Sequence, residues 1–219
     1  MRVLIVNADD FGHSDGINRG IGEAHERGVV TSASLMVDRP EAGAAAAYGR
    51  AHPRLGLGLH LELGAVQAED VLAELRRQLA RFRELSGRDP THLDSHKNAH
   101  LAGPARDAVS ELGAELGVPV RGLSAAVAYR GGFYGQDEHG DPRPEAISVD
   151  ALVGLVRGLP AGITELGCHP GYADPSLTSY ATPRADESRV LCDPRVRAAI
   201  ADEGIALCSF ADAPISVRG

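Results

Sequence analysis

The sequence predicts an α/β fold on a mainly parallel sheet, and three observations carry that prediction. Short apolar runs alternate with longer segments of helical period, the pattern of βα units. Polar residues interrupt those runs at their C-terminal ends, where parallel α/β folds gather their chemistry. The 219 residues, 43% hydrophobic and 24% charged, suffice for one sizeable core, and no composition shift marks a linker. A single domain over residues 1–219 is therefore expected.

Taken in order, Val3–Ala8 is an apolar run that stops at charged Asp9, and Ser14–Arg27 reads as the first helix. Thr31–Val37 and Ala42–Arg50 form the next strand and helix. Within Gly56–Leu63 (GLGLHLEL) every second residue is leucine, so Leu57–Leu61 has the period of a strand. Val71, Leu72, Leu75, Leu79 and Phe82 recur at helical spacing, and Gly87 is a good stop. His92–Ser95 is the fourth strand. Ala105, Ala108, Val109, Leu112 and Leu116 repeat the helical period, with Pro104 suited to the first turn. Val118–Arg121, Ile163–Cys168 and Ile205–Ser209 complete seven strands, and Val149–Leu159 and Pro194–Glu203 complete the helices. Leu123–Ile147 has no clear period and reads as a long loop over one face, a length that usually signals function. Pro170–Asp193 reads as a second irregular connection.

Composition removes several function classes. Thirty acidic against 22 basic residues leave a formal charge of −8, with the basic residues scattered, so no nucleic-acid partner is expected. No apolar run is long enough to span a bilayer. Cys168, Cys192 and Cys208 are odd in number and lack CxxC spacing, which argues against a disulfide framework or a thiolate zinc site. A reducing cytoplasm is the expected compartment, because the short apolar run before Asp9 is no signal-peptide core. Aromatic residues are 4% of the chain and tryptophan is absent, so ring stacking on a ligand rests on few residues, such as Phe133, Tyr134 and Tyr172.

Strand periodicity sorts the chemistry-bearing residues. Leu57, Leu59, Leu61 and Leu63 share one face, and Gly58, His60 and Glu62 share the other. The same period pairs Asn7 with Asp9, Asp94 with His96, and Glu165 with His169, all at C-terminal strand ends. Asp9 and Asp10 precede a Phe11-Gly12 turn that could aim both carboxylates at one site. A divalent cation holding one of them would leave the other free as a base; the alternative is a turn in which Asp10 caps the following helix. In His92–His100 (HLDSHKNAH) the histidines are spaced by four. A strand running into a loop lets only one or two reach a single centre. His92 is expected away from it, and His13, His25, His52 and His139 at the surface. One carboxylate with two imidazoles leaves coordination positions open for water and substrate, as in hydrolytic metal sites. No GxSxG, HExxH, P-loop or post-strand GxGxxG is present.

VNADDFG (Val6–Gly12), TSAS (Thr31–Ser34), GLHL (Gly58–Leu61), THLDSH (Thr91–His96) and GCHPG (Gly167–Gly171) together resemble the YdjC-type, or ChbG-like, carbohydrate deacetylases, in family order and over most of the chain. That resemblance implies a distorted seven-stranded (β/α) barrel of the NodB, polysaccharide-deacetylase kind. It also implies metal-dependent removal of N-acetyl groups from an acetylated amino sugar or oligosaccharide. Carried over by position, it assigns Asp10, His60 and His96 to a divalent metal, magnesium or zinc, Asp9 as the base and His169 as the acid. It places His100 and Arg121 against the substrate. Lys97 and Asn98 stand where the family usually has further histidines, and Glu62-Leu63-Gly64 replaces a longer insertion, which permits a smaller or differently shaped acetylated compound. Family members are often dimeric, although no apolar stripe here specifies an interface. The alternatives are a metal-dependent phosphoesterase and a catalytically silent sugar-binding protein on the same scaffold.

Overall fold

The computed structural model describes residues 1–64, 66–174 and 180–215. β1 (Arg2–Phe11) is buried along all but its first residue, because neighbours flank it on both edges and helices cover it. It is followed by α1 (Asp15–Glu26), β2 (Ser32–Leu35), α2 (Ala42–Ala51), β3 (Gly56–Leu61), α3 (Val71–Ser86), β4 (Leu93–Ser95) and α4 (Gly103–Leu116). The second half contains β5 (Val127–Arg130), α5 (Val149–Arg157), β6 (Gly162–Cys168), α6 (Ala181–Leu191), α7 (Pro194–Asp202) and β7 (Ala206–Leu207). The strands form one curled sheet in the order β4-β3-β2-β1-β6-β5, every pairing parallel. β7 pairs with Val3 and Leu4 of β1, whereas β2 joins β1 only from Asn7 onward. Since β6 occupies the other edge of β1 from Arg2 to Ala8, β7 lies on the β2 side and fills the base of the gap between those two strands.

The leucine face of β3 packs as its period predicts. Leu57, Leu59 and Leu61 join Leu75, Leu79 and Phe82 of α3 and Val109 and Leu112 of α4 in the main apolar core. The opposite face is buried but polar: Asn7, Ser34, His60, Asp94 and Glu165 are each almost fully buried. Burying polar groups is costly unless each finds a partner, so this interior is a hydrogen-bonded network. Gly58 shows how tightly it is filled. A Cβ at that position would fall 2.3 Å from the His92 ring.

Three segments differ from expectation. Val118–Arg121 forms only a bridge from Val120 to Leu93, supported by Leu93 N–H to Pro119 O and Arg121 N–H to Leu93 O, both 3.0 Å. The fifth strand lies instead at Val127–Arg130, inside the stretch expected to be loop, and pairs with β6. One connection therefore touches both free edges of the sheet and curls it. Pro170–Asp193 is not irregular throughout: residues 175–179 lie outside the described residues, but α6 follows them. Its buried residues include Arg184, Glu187 and Ser188, so an apolar period of 3.6 residues is missing from the sequence.

Candidate metal centre and active site

In a regular strand Asp9 and Asp10 would point to opposite faces. The pairing of β1 with β2 runs Ala8 to Ala33 and then Phe11 to Leu35, so β1 carries one residue more than its partner over that interval. Asp10 sits at this bulge with φ 67°, in the left-handed region. Bulges re-aim side chains, and strained backbone of this kind concentrates at functional sites. Here the consequence is that both carboxylates line the same cleft.

Around Asp10 the ligand atoms of Asp10, His60 and His96 all lie within 4.8 Å of one another. Asp10 Oδ1 is 3.4 Å from His60 Nε2 and 3.2 Å from His96 Nδ1. His60 comes from β3; its Nδ1 lies 2.8 Å from Asp94 Oδ1. A proton on Nδ1 donated to that carboxylate leaves the Nε2 lone pair facing Asp10, the arrangement that orients metal-bound histidines. His96 follows β4 at a turn whose next two residues, Lys97 and Asn98, both have positive φ, 56° and 51°. Burial disfavours charge on His60, but Asp94 and Asp10 override it and raise its pKa to about 10. The field that draws a proton to this imidazole also draws a metal cation.

Charge balance agrees with a divalent ion. Asp9, Asp10, Asp94 and Glu165 are buried against two guanidinium groups, Arg121 and Arg184. Burial pushes the Glu165 carboxyl up to about 7 against the pull of Arg121, so with His60 neutral, as a metal ligand must be, between one and two negative charges remain to be balanced at neutral pH. A second convergent set, Asp9, His60 and Asp94, is already served by a cation. Arg121 reaches Asp9 Oδ2 and Oδ1 at 2.6 and 2.7 Å, Asp94 Oδ2 at 2.8 Å and Glu165 Oε1 at 2.8 Å. The Asp10, His60 and His96 set is the one that fits an added ion.

The structure moves two expected substrate contacts beneath the floor of the cleft. Arg121 is 4% exposed and saturated by three carboxylates. His100 is fully buried, with Nδ1 2.6 Å from Ser95 Oγ and Nε2 2.8 Å from the Arg121 carbonyl. Neither lines the cleft; His100 braces the backbone of Arg121, and Arg121 braces Asp9. His13, expected at the surface, lines the cleft instead, and its ring Nδ1 is buried without a partner. Arg184 of α6, which carries no sequence signal for this role, donates to Asp10 Oδ2 at 2.5 Å.

His169, at the end of β6, lines the cleft with Nε2 3.7 Å from Asp9 Oδ2. Burial pushes its pKa down to about 4, against the pull of Asp9 and Asp10, so the resting imidazole is neutral. Its backbone N–H donates to Glu187 Oε2 at 2.5 Å. The cleft has a volume of about 980 Å³, and residues of the 131–146 stretch, among them Gly132, Tyr134, Gln136 and Arg143, wall one side.

His92 lies one layer deeper. It stacks on Phe210 with centroids 3.9 Å apart, and Nε2 is 3.1 Å from Ser34 Oγ. It is thus outside the cleft, as expected, yet part of the network that holds Asp94. Burial lowers its pKa to about 4 from 6.5. Between those values the unfolded chain binds a proton on this residue that the folded chain refuses, so stability falls as pH drops through that window. In His92→Phe the loss of unfolding free energy between pH 7 and pH 5 should shrink by about 2 kcal/mol, measured by urea denaturation at both pH values. An unchanged pH dependence would show that His92 does not titrate this way.

A family model described as YdjC-like protein matches residues 3–67 and 62–202. Relatives include a carbohydrate deacetylase of Geobacillus stearothermophilus, 35% identical over 95% of this chain and 97% of that protein. A chitooligosaccharide deacetylase of Serratia marcescens is 33% identical over 96% of this chain and 99% of that protein. Among solved structures, an Enterococcus faecalis protein described as a cellobiose-phosphate cleavage protein matches with a TM-score of 0.82. It is 26% identical, over 96% of this chain and 98% of that one. A family 4 carbohydrate esterase from Streptomyces lividans in complex with acetate shares the fold at a TM-score of 0.55 and 15% identity, over 95% and 91% of the two chains.

Proposed function

The chain belongs to the YdjC-like family, and from that premise we propose that it hydrolyses the N-acetyl group of an acetylated amino sugar or oligosaccharide. Asp10, His60 and His96 would hold a divalent cation. The observation that carries this reading is the convergence of those three ligand atoms in a cleft that also presents Asp9 and His169.

A divalent cation bound there supplies Lewis-acid polarisation of the acetyl carbonyl and a more acidic water. Asp9 takes the proton of the attacking water as its oxygen bonds to the acetyl carbon. Arg121 fixes both oxygens of Asp9, and Asn7 Nδ2 donates to Oδ1 at 3.0 Å, so the base is held in one orientation. His169 is neutral at rest; its Nε2 faces Asp9 Oδ2, receives that proton and passes it to the nitrogen as the carbon–nitrogen bond breaks. Acetate and a free amine leave, and Asp9 and His169 return to their starting states. Arg184 holds the second oxygen of Asp10, leaving Oδ1 directed at the two imidazoles.

The two guanidinium groups at the centre, Arg121 and Arg184, are both engaged by carboxylates, which weighs against the phosphoesterase alternative. Incubating the protein with N-acetylglucosamine and its oligomers tests the proposal by acetate release. Acetate should appear, disappear with chelator and return on adding zinc or magnesium. Chelator-insensitive release, or release of phosphate from sugar phosphates in its place, would overturn it.

A further inference from the structure

Two tyrosines meet on the wall of the cleft beside His169. The rings of Tyr134 and Tyr180 stack with centroids 4.4 Å apart and planes 10° from parallel. Tyr180 is locked: its hydroxyl donates to Glu187 Oε1 at 2.6 Å and accepts from the Gly135 N–H at 2.5 Å. The other oxygen of Glu187 takes the His169 N–H. One fully buried carboxylate thus ties the tyrosine pair to the strand end that carries His169. Tyr134 is half-buried and lines the cleft, with its ring centroid 5.0 Å from that of His169.

The other aromatic candidates are committed elsewhere. Phe133 is fully buried, Tyr172 donates to Glu23, and Tyr129 carries the Arg121 guanidinium 4.8 Å from its ring centroid. We propose that Tyr134 is the platform on which the pyranose ring bearing the acetamido group stacks, with Tyr180 and Glu187 as its positioning residues. This rests on the deacetylase reading. In such a sugar the amide nitrogen is bonded directly to a ring carbon, so a nitrogen placed at His169 forces the ring against whatever flanks His169. A pyranose has a face of C–H bonds that is apolar and slightly positive, which suits the negative face of an aromatic ring. Tyr134 thereby selects cyclic acetamido sugars over acyclic acetamides.

The absence of tryptophan from the chain permits a direct test. Tyr134→Trp places the sole tryptophan on the platform, and chelator-treated protein can be titrated with N-acetylglucosamine oligomers without turnover. A saturable shift in emission is expected with the sugars and none with N-acetylethanolamine. In the metal-loaded enzyme, Tyr134→Ala should raise KM for the sugars about tenfold with kcat little changed. Tyr134→Phe should keep the wild-type KM, because the ring face rather than the hydroxyl makes the contact. Emission indifferent to sugar, or an unchanged KM in Tyr134→Ala, would overturn the assignment. Sugar binding without acetate release would sustain the platform while removing the deacetylase reading.

Discussion

Asp9→Asn is expected to lower kcat by roughly 10²–10⁴-fold, the usual worth of a general base, while metal content and melting temperature stay close to wild type. The separation of these effects follows from the geometry. Asp9 lies outside the set formed by Asp10, His60 and His96, so losing its charge leaves those ligands in place. Arg121 still finds Asp94 and Glu165, so the buried cation keeps two of its three partners. Kinetics on an N-acetylated sugar, together with elemental analysis and a thermal melt, check all three quantities. Loss of metal in step with activity would instead make Asp9 a ligand.

The largest effect on stability is expected from Arg121→Met. Its guanidinium is the buried counter-charge of Asp9, Asp94 and Glu165, and removing one partner of a buried ion pair typically costs about 3–5 kcal/mol. For a domain of this size the melting temperature should fall by about 10 °C. A lysine is a poor replacement, because a single ammonium cannot fork across three carboxylates. Activity should fall as well, since Asp9 loses the group that orients it. Calorimetry that finds the variant within 2 °C of wild type would show that the three carboxylates do not depend on Arg121.

Much of this arrangement was legible from strand periodicity. Alternation in GLGLHLEL separates a leucine face from a face carrying His60, and the structure places Leu57, Leu59 and Leu61 against helices and His60 in the polar interior. Asn7, Asp94 and Glu165 were found by the same period and occupy the same interior. What periodicity cannot express is a departure from itself. The bulge that brings Asp9 and Asp10 to one side depends on the left-handed backbone of Asp10, and its trace in the sequence is a pair of adjacent aspartates followed by Phe11-Gly12.

The misreadings have physical causes too. α6 was hidden because the face it buries includes Arg184, Glu187 and Ser188, which are polar because they bond Asp10, His169 and Gly171. β5 was hidden because only Val127 of its four residues is buried. Arg121 was placed against the substrate by the family resemblance, and its burial has no sign in the sequence because arginine is seldom interior. Three carboxylates from β1, β4 and β6, far apart in sequence, supply the partners that make its burial tolerable.

The account rests on Asp10, His60 and His96 sharing one cation. The most direct measurement is an anomalous-scattering map of crystals of zinc-loaded protein, wild type and His60→Ala. One peak is predicted about 2.0–2.2 Å from Asp10 Oδ1, His60 Nε2 and His96 Nδ1 in the wild type, and none at that place in the variant. A peak centred on other residues, or one that persists undiminished in His60→Ala, would contradict it.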